Sequence, residues 1–239
     1  MAKGYRTGVT PKNVRTATTS SKDETIIDIG QVKHQAEDYY VKHRVTILGI
    51  LVGIVLIVGG WLVYKYLIQE PKNKEALEQM YQAEFLFEKD SFDLALNNPG
   101  GGFAGFAEIA ENYGGTPAGN LARYYAAICC LYLKKYEEAK SYLEDYDASG
   151  AVMPILKYSA LGDAHAELND FESALKYYEK AAKAKDNEFL VAVNLKKLGV
   201  LKEKMGDKAG ALEAYKTIKD KYPNTPDGNG IDKFIIPLE

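Results

Sequence analysis

A chain of 239 residues with 30 basic and 33 acidic side chains carries a formal net charge of −3, and that charge is unevenly spread. Residues 1–44 hold eight basic and five acidic groups; with these and Lys65 set aside, 21 basic face 28 acidic residues, a net charge of about −7 over the C-terminal part. Phosphate binding needs a basic face, so nucleic acid is excluded as a partner.

The first 22 residues are rich in Thr, Ser, Lys and Gly and almost free of large apolar side chains, a composition that predicts disorder. From Ile26 the pattern changes. Ile26, Ile27, Ile29, Val32, Tyr39 and Tyr40 among charges predict an amphipathic helix over 26–44. It fits a helix lying on the inner leaflet, a helix packed on a neighbouring subunit, or a solvated lead-in.

Residues 45–64, VTILGILVGIVLIVGGWLVY, contain no charge. At about 1.5 Å per residue such a helix spans roughly 30 Å, the thickness of a bilayer core. A transmembrane helix is therefore expected over 45–68. A cleaved signal peptide has a shorter leader, a shorter apolar region and a small-residue cleavage site, whereas Tyr64, Lys65 and Tyr66 follow here. No cysteine lies nearby to carry a lipid. Gly49, Gly53, Gly59 and Gly60 offer small residues for close packing on another membrane helix, the first two one turn apart. The basic tail, ending in Lys42-His43-Arg44, predicts a cytoplasmic N-terminus and an external C-terminal part.

Beyond Pro71 the expectation is all-α: Ala, Leu, Lys, Glu and Tyr recur at helical spacing, with most Pro and Gly between periodic segments. An internal repeat is present. Leu161-Gly162, His165, Asn169-Asp170-Phe171, Ala174 and Tyr178 recur as Leu198-Gly199, Lys202, Gly206-Asp207, Ala211 and Tyr215, 37 residues on with unchanged spacing. A weaker copy runs through Ala126-Ala127, Cys130, Tyr136, Ala139, Leu143 and Tyr146, although its Lys134-Lys135 turn lacks glycine. Tyr113–Asn120 (YGGTPAGN) echoes Tyr222–Asn229 (YPNTPDGN), which predicts a first repeat built from helices over 74–89 and 103–113 with 91–102 as an insert. Residues 231–239 should cap the stack, because a terminal repeat would otherwise expose its apolar face.

These motifs resemble the tetratricopeptide repeat, a 34-residue helix–turn–helix unit with small residues where its helices cross. The resemblance implies an α-solenoid of about four helix pairs over 71–239. The order of tail, single anchor and short repeat domain is further similar to the YfgM-like family, with Bacteroidota members closest. The stretches YGGTPAGNLARYYAAICCLYLKKYEEAKSYLEDY from Tyr113 and LGDAHAELNDFESALKYYEKA from Leu161 carry that similarity. It implies a non-enzymatic ancillary subunit of the Sec translocon in the bacterial inner membrane, its repeats periplasmic. Expected partners are translocon subunits, a periplasmic chaperone or isomerase, nascent secretory chains and membrane lipid.

Catalytic, cofactor and metal motifs are weak. Gly100-Gly-Gly102-Phe-Ala-Gly105 has the spacing G-x-G-x-x-G, but no strand or βαβ unit surrounds it, and a flexible insert accounts for it better. Adjacent Cys129 and Cys130 in an apolar helix read as packing residues, since a bridge between neighbours is strained. His165 with Asp163 and Glu167 lacks metal-ligand spacing and takes a repeat position usually filled by Tyr. No catalytic residue, cofactor, metal or small-molecule substrate is expected.

The working surface should be the concave groove lined by the first helix of each repeat. In register, Tyr124, Ile128, Leu131 and Tyr132 fall on that face, then Leu156, Ser159 and Asp163, then Lys196, Val200 and Glu203. Aromatic and apolar groups with scattered charges suit an extended peptide or a partner's helix; simple burial of half of them is the other reading. Two further roles fit the same pattern: a scaffold of another envelope assembly, such as a secretion or motility machine, and a mitochondrial import receptor with reversed orientation.

Overall fold

The computed structural model describes residues 29–184 and 187–239, the first ten as backbone only. The disorder expected over 1–22 and the first three residues of the 26–44 helix lie outside these. The chain divides between Val58 and Gly59 into two units.

The first helix, α1 (Ile29–Tyr64), carries the expected amphipathic stretch and the apolar run as one uninterrupted element, with no break at residue 45. Up to Val58 none of its described side chains is buried. Among the described residues, the helical run Tyr39–Phe87 is the one long and apolar enough to cross a membrane. Exposed Tyr39 and Tyr40 flank the apolar run on one side and exposed Trp61, Tyr64 and Tyr66 on the other, the positions where aromatic rings settle at headgroup level.

In the second unit the end of α1 passes through a π-turn (Lys65–Gln69) into α2 (Glu70–Phe87), where the Glu70 N–H reaches back to the Lys65 carbonyl. Pro71 supplies the reason. It has no N–H for the Leu67 carbonyl and its ring would clash there, so the backbone widens just ahead of it. There follow α3 (Phe92–Asn97), α4 (Phe106–Asn112), α5 (Pro117–Tyr132), α6 (Tyr136–Asp145), α7 (Met153–Glu167), α8 (Phe171–Ala182), α9 (Glu188–Lys204), α10 (Lys208–Lys221) and α11 (Asp232–Ile235).

Four turns repeat one geometry. Asp90, Lys134, Asn169 and Gly206 adopt left-handed φ of 56°, 61°, 61° and 86°. The next N–H, from Ser91, Lys135, Asp170 or Asp207, donates to the carbonyl five residues back, on Leu86, Cys130, His165 or Lys202, at 2.8–2.9 Å. This is the helix-terminating pattern that satisfies orphan carbonyls. Asp170 and Asp207 then cap the following helices through Ser173 N–H and Gly210 N–H. Eight residues before those donors stand Ala83, Ala127, Gly162 and Gly199; four residues after them stand Ala95, Ala139, Ala174 and Ala211, all four fully buried.

That register corrects the expected first repeat. Its second helix begins at Phe92, not 103, and buries Ala95 and Leu96; it stops at Asn98, and α4 resumes it at Phe106. Phe106, Ile109 and Tyr113 match Tyr215, Ile218 and Tyr222 in spacing, yet Ala95 and Phe106 lie eleven apart where Ala211 and Tyr215 lie four apart, so seven residues have been inserted within one helix. Pro99, followed by Gly100, Gly101 and Gly102 with φ of 82°, 66° and 80°, breaks the helix there. The insert is thus confined to the segment between α3 and α4.

The two YxxTPxGN octets fold alike. Thr116 and Thr225 donate their hydroxyls to the Tyr113 and Tyr222 carbonyls (2.8 Å each) and accept from Gly119 and Gly228 N–H (3.0 and 3.1 Å). At the C-terminus Ile231 and Ile235 are buried against Ala192, Ala211, Tyr215 and Ile218, which closes the last apolar face as expected.

Candidate functional site

Successive first helices α2, α5, α7 and α9 lie side by side, and cavities open between them. The larger of the two, about 380 Å³, lies between α5 and α7. Tyr124, Ile128, Leu131, Tyr132, Leu156, Ser159 and Asp163, all expected on this face, line it, joined by Tyr136, Ala160 and Glu167. On α5 the spacing of Tyr124, Ile128 and Tyr132 is one helical face; Tyr132 is 65% exposed and stacks on Phe92 at 4.1 Å, which extends the apolar surface toward the first repeat. Tyr124, Ile128, Leu131 and Leu156 are half-buried, so they both pack and face the groove.

A second cavity of about 340 Å³ between α7 and α9 takes in Lys196 and Val200 with Lys197, Lys204, Glu167 and Asp227. A polar bridge separates the two. Lys197 Nζ donates to both Asp163 oxygens (2.8 and 2.7 Å) and to Ser159 Oγ (3.0 Å), while the Tyr178 hydroxyl donates to Asp163 Oδ1 at 2.7 Å. Both charged partners are about one-third exposed, so the pair serves more to fix α9 against α7 than to add stability. Lys196 is held by Asp227 Oδ1 at 2.6 Å. Glu203 lines neither cavity; its carboxylate accepts from the Tyr215 hydroxyl at 2.5 Å.

Burial pushes the Tyr124 phenol up to about 12, with neighbouring Tyr146, Tyr125 and Asp163 adding to it. Burial and Asp163 raise Tyr178 further, and burial and Glu203 raise Tyr215. These hydroxyls therefore stay protonated donors across the physiological range. The Cys129 and Cys130 thiols are fully buried and pushed up to about 12 by burial, which leaves them unreactive packing groups. His165, 9% exposed, stacks on Tyr177 with its Nδ1 3.0 Å from Asp170 Oδ2. Among the described residues no three His, Cys, Asp or Glu side chains converge as metal ligands would.

Lys197 and Tyr178 were not expected at the site. Asp163 and Lys197 lie 34 residues apart on neighbouring first helices, a relation visible only once the repeats are stacked. The aromatic residues at the two ends of the apolar run, Tyr39 and Tyr40 and then Trp61, Tyr64 and Tyr66, are legible in the sequence. Gly49, Gly53, Gly59 and Gly60 have no atom within 4 Å of where a Cβ would stand.

Helix pairs joined by identical left-handed turns, with small residues at registered positions and a grooved inner face, define an all-α tetratricopeptide-like repeat protein bearing one long apolar N-terminal helix. Solenoids of this kind present extended concave surfaces for protein–protein contact. A family model for the tetratricopeptide repeat matches residues 197–225, which run from α9 through α10 to the threonine of the terminal octet. No curated protein and no solved structure matches the chain.

Proposed function

We propose that the chain is a non-enzymatic membrane-anchored adaptor that holds an extended peptide, or a partner's helix, in the groove between α5 and α7. The observation that carries this is the convergence of Tyr124, Ile128, Tyr132 and Leu156 on one cavity of about 380 Å³, which Asp163 and Glu167 also line. Apolar anchors flanked by a few polar groups are what peptide recognition uses. The apolar run of α1 is the anchor, its basic tail cytoplasmic and its repeats external. Gly49, Gly53, Gly59 and Gly60 are the surface by which that anchor packs on a membrane partner.

The similarity of tail, anchor and repeats to the YfgM-like family favours the Sec translocon of a bacterial inner membrane as that partner. The groove then serves a periplasmic chaperone or isomerase, or the emerging chain itself. Purification of the full chain in mild detergent, followed by mass spectrometry, tests the assignment. Channel subunits should co-purify; if they are absent while another envelope complex is retained, the chain is a scaffold of that complex instead. Protease added to spheroplasts should digest the repeats and spare the tail, and digestion of the tail alone would reverse the orientation.

A further inference from the structure

The apolar helix ends in exposed Trp61, Tyr64 and Tyr66, which belong to the same unit as the repeats. Immediately beyond them, Gln69 Nε2 donates to the Gly115 carbonyl (2.9 Å) and Asn73 Oδ1 accepts from the Ala118 N–H (2.8 Å). The start of α2 is thereby fastened to the start of α5. Asn120, in the first turn of α5, exchanges two hydrogen bonds with the backbone of Asp147, donating to its carbonyl (2.8 Å) and accepting from its N–H (2.9 Å). The α6–α7 loop is drawn to the same end.

Composition singles out the same two loops, whereas the α8–α9 connection at this end carries Lys183 and Glu188 and takes no part. Residues 148–156 carry no charge, and Val152 within them is 42% exposed; residues 114–122 are likewise uncharged. At the opposite end the turns carry Lys89 and Asp90, Lys134 and Lys135, Asp170, and Asp207 and Lys208. Uncharged, partly apolar loops suit the interfacial zone of a bilayer, whereas charged turns suit water.

Resting on the membrane-anchor reading, we infer that the repeat domain is seated on the bilayer surface through the loops 114–117 and 148–153, so that lipid headgroups are a direct partner of those loops and the left-handed turns point away.

Nitroxide labels on the full chain in phosphatidylcholine vesicles doped with a nickel-chelating headgroup lipid test this. Ala151→Cys and Val152→Cys report the seated end, and Glu137→Cys and Glu172→Cys, both exposed beside the left-handed turns, report the far end; native Cys129 and Cys130 are fully buried and do not label. Collisional relaxation by nickel should be several-fold stronger at 151 and 152 than at 137 and 172, and Gln69→Ala combined with Asn73→Ala should shrink that difference. Vesicle-bound protein with equal or reversed relaxation would overturn the seating and leave the anchor intact. Protein that fails to float with the vesicles would overturn the anchor, and the seating with it.

Discussion

Gly162 lies flat against the ring of Tyr178, with no room for a Cβ between them, and Gly199 stands in the same relation to Tyr215 one repeat later. In the preceding repeat the equivalent positions hold Ala127 and Leu143, which share one buried cluster. In these three repeats the pair keeps its volume: a larger residue on the first helix goes with a smaller one on the second.

Gly162→Leu should overpack this crossing and cost about 1–3 kcal/mol. A domain of this size loses about 2–4 °C in Tm per kcal/mol, which thermal melting followed by circular dichroism resolves. Gly162→Ala should destabilise less, and adding Tyr178→Leu should recover part of the loss by recreating the Ala127–Leu143 arrangement. Strictly additive effects would show that the two side chains do not share the space.

Lys134 holds a left-handed φ of 61° that costs a side chain about 1 kcal/mol and costs glycine nothing. Lys134→Gly should therefore raise Tm, the gain trimmed by the extra freedom of glycine in the unfolded chain. A lowered midpoint would mean that the Lys134 turn does not share the geometry of Gly206.

Alkaline pH should unfold the repeats through their buried phenols. The Tyr124 pKa is raised from 10.0 to about 12, so its contribution to stability is complete below pH 10 and is lost as pH rises through about 12. Tyr178 and Tyr215 are shifted in the same direction by burial and by Asp163 and Glu203. Tyrosinate absorbance should rise in two stages, exposed phenols first and the buried set together with loss of helix. Tyr178→Phe should move the second stage to higher pH.

Tyr132→Ala should weaken capture of whatever partner occupies the α5–α7 groove, while leaving the fold in place because Tyr132 is mostly exposed. Loss of an aromatic anchor typically costs about 2 kcal/mol, roughly 30-fold in Kd. Retained affinity, measured by titration of the purified partner, would move the binding surface elsewhere, with the cavity beside Lys196 and Lys204 next to be tested.

The sequence by itself determined the all-α class, the apolar helix, the register of the last three helix pairs and seven of the ten residues expected at the groove that now line the α5–α7 cavity, Lys196 and Val200 lining its neighbour. Each repeat obeys the same local rules, a small residue, a left-handed turn and an alanine at set distances, and set distances survive in a linear string. Tertiary structure alone decided three things. It rejoined α3 and α4 into one interrupted helix, because seven inserted residues move Phe106 away from Ala95 along the chain while packing restores both to one core. It placed Glu203 on Tyr215 instead of in the groove, and it set Lys197 on Asp163, dividing that groove in two. Side chains that meet across stacked repeats leave no periodic mark, since their partners are chosen by how neighbouring helices lie and not by spacing along either one.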